Sequence, residues 1–231
     1  MRRVAVIGSG FSGLSASCFL AAAGFDVLIF EKNGTPGGRA RSFEVNGFTF
    51  DMCPSWYWMP DVFENFFNHF NKKPTDYYEL KRIDPSYRII FNDHDRIDVP
   101  ANIEQLRSVF DHLEDGSGNE LLKFLEEARL KYELALNKLV YLPGLKITEL
   151  VDAKLIKALF KLHVFSSFSG YIRKFFKDPR LIQLLEFPVL FLGAKPQTTP
   201  AFYSLMNYAD IALGATRLRK LNDTNPRGCR S

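Results

Sequence analysis

An α/β fold is predicted for this sequence, with a short parallel sheet and its crossover helix first and a mixed strand-and-helix region after it. Three observations predict it. Val4 to Ile7 is an apolar run rich in β-branched residues, as a buried parallel strand would be. Gly8, Gly10 and Gly13 follow at G-x-G-x-x-G spacing, and Leu14, Cys18, Phe19, Ala22 and Ala23 then repeat at helical intervals until Gly24 stops the helix. Val27 to Phe30 is a second apolar run, and Glu31 stands at its end. Strand, glycine turn, helix, strand and acid in this order form a Rossmann-like beginning.

Each piece has a physical task in binding a dinucleotide. Gly8 permits the tight turn, Gly10 lets the backbone approach a pyrophosphate, and Gly13 lets helix and strand pack closely. Amide groups at the helix start face the phosphates, helped by the helix dipole, so Ser9, Phe11 and Ser12 are counted with the glycines as cofactor-binding candidates. Glu31, with Lys32 beside it, is placed to accept hydrogen bonds from a ribose diol, whereas a 2′-phosphate would be repelled there. Asn33 to Gly38 is a turn-rich loop followed by Arg39 and Arg41. Gly37 and Gly38 allow a second close backbone approach, and Arg39 brings charge to the pyrophosphate side.

Further elements follow in order. Ser42 to Asp51 reads as a hairpin around Asn46-Gly47. The cluster CPSWYWMP suits either a wall beside a flat ring or a hydrophobic plug. Asp61 to Phe70 is a helix with Phe63, Phe66, Phe67 and Phe70 on one side, a stripe more typical of core than of ligand contact. Strands are expected over 77–83 and 87–91 and near Ile97, with His94 exposed in the turn between the last two. Helices are expected over 103–113 and 119–142, the second with charges at i, i+4 along a solvated face. Residues 164–177 pair Phe165, Phe168, Tyr171, Ile172, Phe175 and Phe176 with Arg173, Lys174 and Lys177. That pattern fits a helix lying on a membrane surface or an internal amphipathic helix equally well. Asp178 begins another helix with Pro179 in its first turn.

The bulk properties narrow the class. With 46% hydrophobic and 24% charged residues, the chain is ordinary globular material. Arg217, Arg219, Lys220, Arg227 and Arg230 against Asp223 account for the whole net charge of +4. The body is neutral, which gives no argument for a nucleic-acid partner. Cys18, Cys53 and Cys229 are odd in number and lack metal-ligand spacing, pointing to a reducing compartment and no metal. The glycine spacing argues against reading the N-terminus as a signal peptide, and no run approaches the length of a membrane span. A cytoplasmic protein, peripherally associated with membrane, is the expected localisation.

VAVIGSGFSGLSA, Glu31, PGGRA, FTFDMCPSWYWMPDVFENFF, DYYEL-x-x-x-DPSYRIIF and FPVLFLGAKPQTTPAFYSLMNYAD together resemble the bacterial and fungal type of phytoene desaturase, from Met1 to about Leu213. The nucleotide-binding part is shared widely among amine-oxidase-like flavoproteins; the stretches around PSWY and TPA-x-YS are more specific. The resemblance implies non-covalent FAD, a peripheral membrane position and dehydrogenation of a polyene lipid such as phytoene. It implies that Gly8, Gly10 and Gly13 line the FAD pyrophosphate, that Glu31 binds the adenosine ribose, that Gly38 and Arg39 form a second FAD contact, and that Pro54 and Ser55 lie near the isoalloxazine. An unactivated allylic C–H demands hydride transfer to the flavin N5, with the protein supplying an apolar tunnel. Asp51 and Arg41 are weak catalytic candidates, chosen only for their place beside the expected ring.

Two departures stand out. Cys53 occupies a position where the family usually has glycine. After Leu213 the match stops, and GATRLRKLNDTNPRGCRS is polar, basic and without periodicity, so residues 215–231 are expected to lack structure. These features suggest a C-terminally truncated desaturase, an incomplete fold that needs its other half. The expected divisions are 1–95 for the first part of the FAD domain, 96–190 for a helical substrate and membrane-contact region, and 191–214 for the start of the second half. The rival readings are a non-catalytic nucleotide-binding remnant and an amine oxidase in which Trp56, Tyr57 and Trp58 form a cage.

Overall fold

The computed structural model describes residues 2–52, 56–136, 140, 166–214 and 216–219. The chain forms two compact units, Met1–Ser55 and Trp56–Ser231. Among the described residues, strands 79–82, 87–92 and 95–99 bond within the second unit.

In the first unit, β1 (Arg3–Ile7) and β2 (Asp26–Phe30) pair in parallel, Val4 opposite Val27 and Val6 opposite Ile29. Helix α1 (Phe11–Ala22) is the crossover. Parallel pairing needs such a crossover, because two parallel strands cannot be joined by a tight turn. The hairpin of β3 (Ser42–Val45) and β4 (Phe48–Asp51) follows, with Asn46 at φ 52° and Gly47 at φ 79°, the left-handed pair that a two-residue turn requires. The strands are not buried as their composition predicts. Ile7 is 90% exposed and Phe48 69%, and Leu28, Ile29, Phe30, Phe43 and Phe50 are exposed as well. Two strands and one helix cannot enclose both faces of a sheet.

The second unit holds the core. β5 (Trp56–Tyr57) precedes α2 (Pro60–His69), which carries Pro60 in its first turn. β6 (Glu79–Arg82) leads to a hairpin of β7 (Tyr87–Asn92) and β8 (Asp95–Val99). α3 (Ile103–Leu113) is capped by Asn102, whose side chain accepts from the Glu104 and Gln105 amides. α4 (Ser117–Leu134) packs Leu121, Phe124, Leu125 and Ala128 inward. The predicted extension to 142 lies largely outside the described residues.

Two expectations are corrected here. Within residues 166–177 only Phe168–Ile172 is α-helical, and Phe168, Tyr171, Ile172 and Phe176 are buried in the main apolar cluster beside Phe110 and Phe124. The aromatic side of this segment packs on protein, so the internal reading holds for the described part of 164–177 and leaves no apolar stripe there for a membrane surface. Arg173, Lys174 and Lys177 stay exposed. In the tail, Thr216–Arg219 forms a strand, β9, lying between β5 and β6 and antiparallel to both. Two open strand edges offer unpaired backbone groups, and four extended residues satisfy them whatever their composition. Residues 220–231 lie outside the described residues.

Candidate dinucleotide-binding site

The site is built from the turn that joins β1 to α1. The Gly8 amide donates to the Phe30 carbonyl (2.7 Å), so the turn is tied to the end of β2. The Leu14 amide donates to the Gly10 carbonyl (2.9 Å), which closes the first turn of α1. The amides of Ser12 and Gly13 stand in the first turn of that helix, which has no earlier helical carbonyl to accept from them. Gly13 is required by contact: a Cβ there would lie 2.0 Å from the Gly8 carbonyl oxygen and 3.5 Å from Val6 Cγ1. Nothing larger fits between helix and strand.

The second glycine loop packs onto the first. The Gly37 amide donates to the Ser9 carbonyl (2.9 Å). Gly38 has φ +59°, and a Cβ on it would come within 2.9 Å of Gly10 Cα. The two backbones thus run side by side, a double cradle that side chains would fill. Arg39 and Lys32 are exposed at its rim.

Glu31 completes the site. Its Oε2 accepts from the Ser9 amide (2.9 Å) and Ser9 hydroxyl (2.6 Å), and its Oε1 accepts from the Asn33 amide (2.9 Å) and Asn33 Nδ2 (2.6 Å). These donors, the Ser9 hydroxyl foremost, hold its pKa down at about 2, so the group is a carboxylate at any physiological pH. Four donors match the four lone-pair positions of a carboxylate. The sequence reading identified Glu31 and Ser9 but missed Asn33. The signal was present in the Glu-Lys-Asn spacing, since an amide two residues on is within reach of its own loop's carboxylate.

The remaining candidates are dispersed. Arg41 lies against the cradle through its backbone, 3.2 Å from the Cβ position of Gly37, while its Nε donates to Met52 Sδ (3.0 Å). Asp51 pairs across the hairpin with Ser42 and is exposed. Pro54, Ser55 and Cys53 lie outside the described residues.

Comparison with known proteins agrees with this fold. Residues 6–72 match the model of an NAD(P)-binding Rossmann-like domain. A carotenoid 3,4-desaturase of Haloarcula japonica is 44% identical over 212 residues, 91% of this chain and 43% of the relative. A zeta-carotene-forming phytoene desaturase of Myxococcus xanthus is 32% identical over 213 residues, 92% of this chain and 41% of the relative. Among solved structures, a redesigned putrescine oxidase superposes with a TM-score of 0.58 at 14% identity, over 94% of this chain and 46% of the other, a likeness of fold alone. This chain spans less than half the length of the curated relatives it matches. With the double glycine cradle and the acid at the end of β2 in place, the chain is homologous over 91% of its length to a carotenoid desaturase.

Proposed function

We propose that this chain carries the nucleotide-binding part of an FAD-dependent carotenoid desaturase acting on a phytoene-like polyene. The observation that supports it most directly is the cradle of Gly8, Gly10, Gly13 and Gly38, in which Gly13 and Gly38 leave no room for a side chain, with Glu31 ionised beside it. Gly8, Ser9, Gly10, Phe11, Ser12 and Gly13 would take the pyrophosphate. Glu31 and Lys32 would take the adenosine ribose, with Asn33 Nδ2 giving up its bond to the carboxylate as the diol arrives. Gly38 and Arg39 would form the second contact, and Pro54 and Ser55 would adjoin the ring system. A bound flavin supplies a two-electron acceptor for the allylic C–H of the polyene. The protein's own part is to hold that carbon in place and to exclude water. Proton loss at the neighbouring carbon falls to solvent or to a carboxylate acting as base, for which Asp51, with Arg41 as its partner charge, is the weak candidate.

The exposed apolar faces of β1 and β2 support a further element of the proposal: polypeptide equivalent to the rest of the relatives' length covers this sheet. The same exposure favours a second reading, in which this chain alone binds nucleotide without catalysis. Loading the purified chain with FAD tests both. Yellow protein with stoichiometric flavin is expected, and Gly13→Ala should lose most of it, because its methyl group cannot sit 2.0 Å from a carbonyl oxygen. Protein that stays colourless under saturating FAD sinks the flavin assignment. Pigment formation by the chain in cells that supply polyene precursor separates enzyme from binding module.

A further inference from the structure

A three-stranded sheet in the second unit takes its middle strand from far along the chain. β9 runs between β5 and β6, antiparallel to both. Thr216 stands opposite Tyr57 on one side and Arg82 on the other, and Arg217 opposite Trp56 and Lys81. Leu218 and Arg219 continue opposite Leu80 and Glu79. Among the described residues β5 and β6 pair with no other strand, so only this guest makes them one sheet. Its four residues lie beyond Leu213, where the desaturase resemblance stops. Backbone pairing on two sides holds them in place.

The walls of the gap are fixed by contacts that do not involve β9. Tyr57 is buried, its ring packs on Phe63 of α2 (centroids 4.6 Å apart), and its hydroxyl is hydrogen-bonded to that of Tyr78 (2.6 Å). Tyr78 immediately precedes β6 and meets Phe67 of α2 edge-on (6.1 Å). Both walls are thereby tied to one helix and to each other. At the far end of β6, Arg82 donates to the carbonyls of Leu213 (2.8 Å), Ile211 and Ala101 (both 3.3 Å). Two of these carbonyls belong to the π-helix Tyr208–Gly214, which leads into β9 and is fastened to β7 by the Tyr87–Asp210 hydrogen bond (2.6 Å). Gly214 has φ +91°, and a Cβ on it would fall 0.6 Å from Arg82 Nη1, so only glycine lets the chain pass the guanidinium. The chain enters the gap at a fixed point, with Thr216 opposite Arg82 itself.

We propose that the gap between β5 and β6 is a strand-acceptor site, which takes an extended polypeptide segment by its backbone, from a partner in trans as well as from Thr216–Arg219 in cis. The inference uses no residue of the first unit and stands apart from the flavin reading. Two edges held two strand spacings apart, about 10 Å, pair with a guest on both sides at once, where an ordinary sheet edge offers one. Because the walls are already in place, only the guest has to be ordered. A backbone ladder admits many side chains and rejects proline, which lacks the donor. The cis strand, tethered at Gly214, has the higher effective concentration and keeps the site closed to others.

The full chain with Arg217→Pro opens the site for a test, since this position is paired to both walls and proline can donate to neither. A fluorescently labelled peptide ATRLRK, the sequence of residues 215–220, serves as probe, read by anisotropy. It should bind the variant at least about tenfold more tightly than the unsubstituted chain, whose own strand competes. The same peptide N-methylated at two amides keeps its charge and should bind about tenfold more weakly, as expected for the loss of one or two ladder hydrogen bonds. A scrambled peptide of the same composition should bind within about threefold of the original. Gly214→Ala drives a methyl group into the Arg82 guanidinium and misdirects the entry, so it opens the site by another route and serves if Arg217→Pro fails to fold. No gain in peptide binding by either folded variant overturns the acceptor site. Equal binding of the N-methylated peptide overturns recognition by backbone, and loss of binding on scrambling overturns its tolerance of side chains.

Discussion

Glu31 spends its charge inside its own βαβ unit, gathering the Ser9 and Asn33 donors that keep the glycine turn against β2. Its folded pKa near 2 lies below the ordinary 4.5, so the unfolded chain takes up a proton first as pH falls. The stabilisation is complete above about pH 4.5 and is lost progressively toward pH 2. Hydrogen exchange at the Ser9 amide should accelerate through that window, and Glu31→Gln should exchange rapidly at every pH. Lys131 is the opposite case. It is fully buried, donates to Ser204 Oγ (2.9 Å) and sits 3.8 Å over the Tyr171 ring, whose hydroxyl bonds Glu127. Burial, partly countered by Glu127, lowers its pKa from 10.5 to about 8. Between pH 8 and 10 the unfolded chain holds the extra proton, so stability should rise with pH by roughly 2 kcal/mol before tyrosine ionisation in the unfolded state reverses it. Urea denaturation across that range checks this, and Lys131→Met should show no such rise.

At the scale of elements, local signals and packing agree in some places and part in others. Helix Pro179–Glu186 begins where its sequence dictates: Asp178 caps the Arg180 amide (2.8 Å) and Pro179 fills the first turn. Glu114 then accepts from the Lys177 and Asp178 amides (both 2.8 Å), joining this start to the end of α3. Asp178→Ala should cost about 1 kcal/mol in chemical denaturation, the usual worth of an N-cap. The segment before it was ambiguous in sequence, because an amphipathic pattern states only that one side is apolar. Whether lipid or protein covers that side depends on α3 and α4, which bury Phe168 and Phe176 under Phe110 and Phe124.

Across the whole molecule, apolar burial is uneven. The second unit encloses a continuous cluster from Ile97 to Ile211, while the first leaves its parallel strands uncovered. An exposed parallel pair with Ile7 at its margin invites further strands or a second copy. Sedimentation velocity of the isolated chain should show association that grows with concentration, and Ile7→Lys should reduce it. Among the described residues no helix is long and apolar enough to cross a membrane.

The sequence by itself determined the βαβ start, the hairpin at Asn46-Gly47, the capped helices and the glycine turn with Glu31 at the end of β2. Each of these depends on interactions within a few residues, or on sterics that only glycine satisfies. Tertiary structure alone decided that Asn33 and Ser9 share Glu31, that Phe168, Tyr171, Ile172 and Phe176 face protein, that Thr216–Arg219 enters a sheet, and that Tyr87 bonds Asp210. Those outcomes depend on which distant surfaces come together to bury apolar area and to pair backbone groups, and no local pattern encodes that.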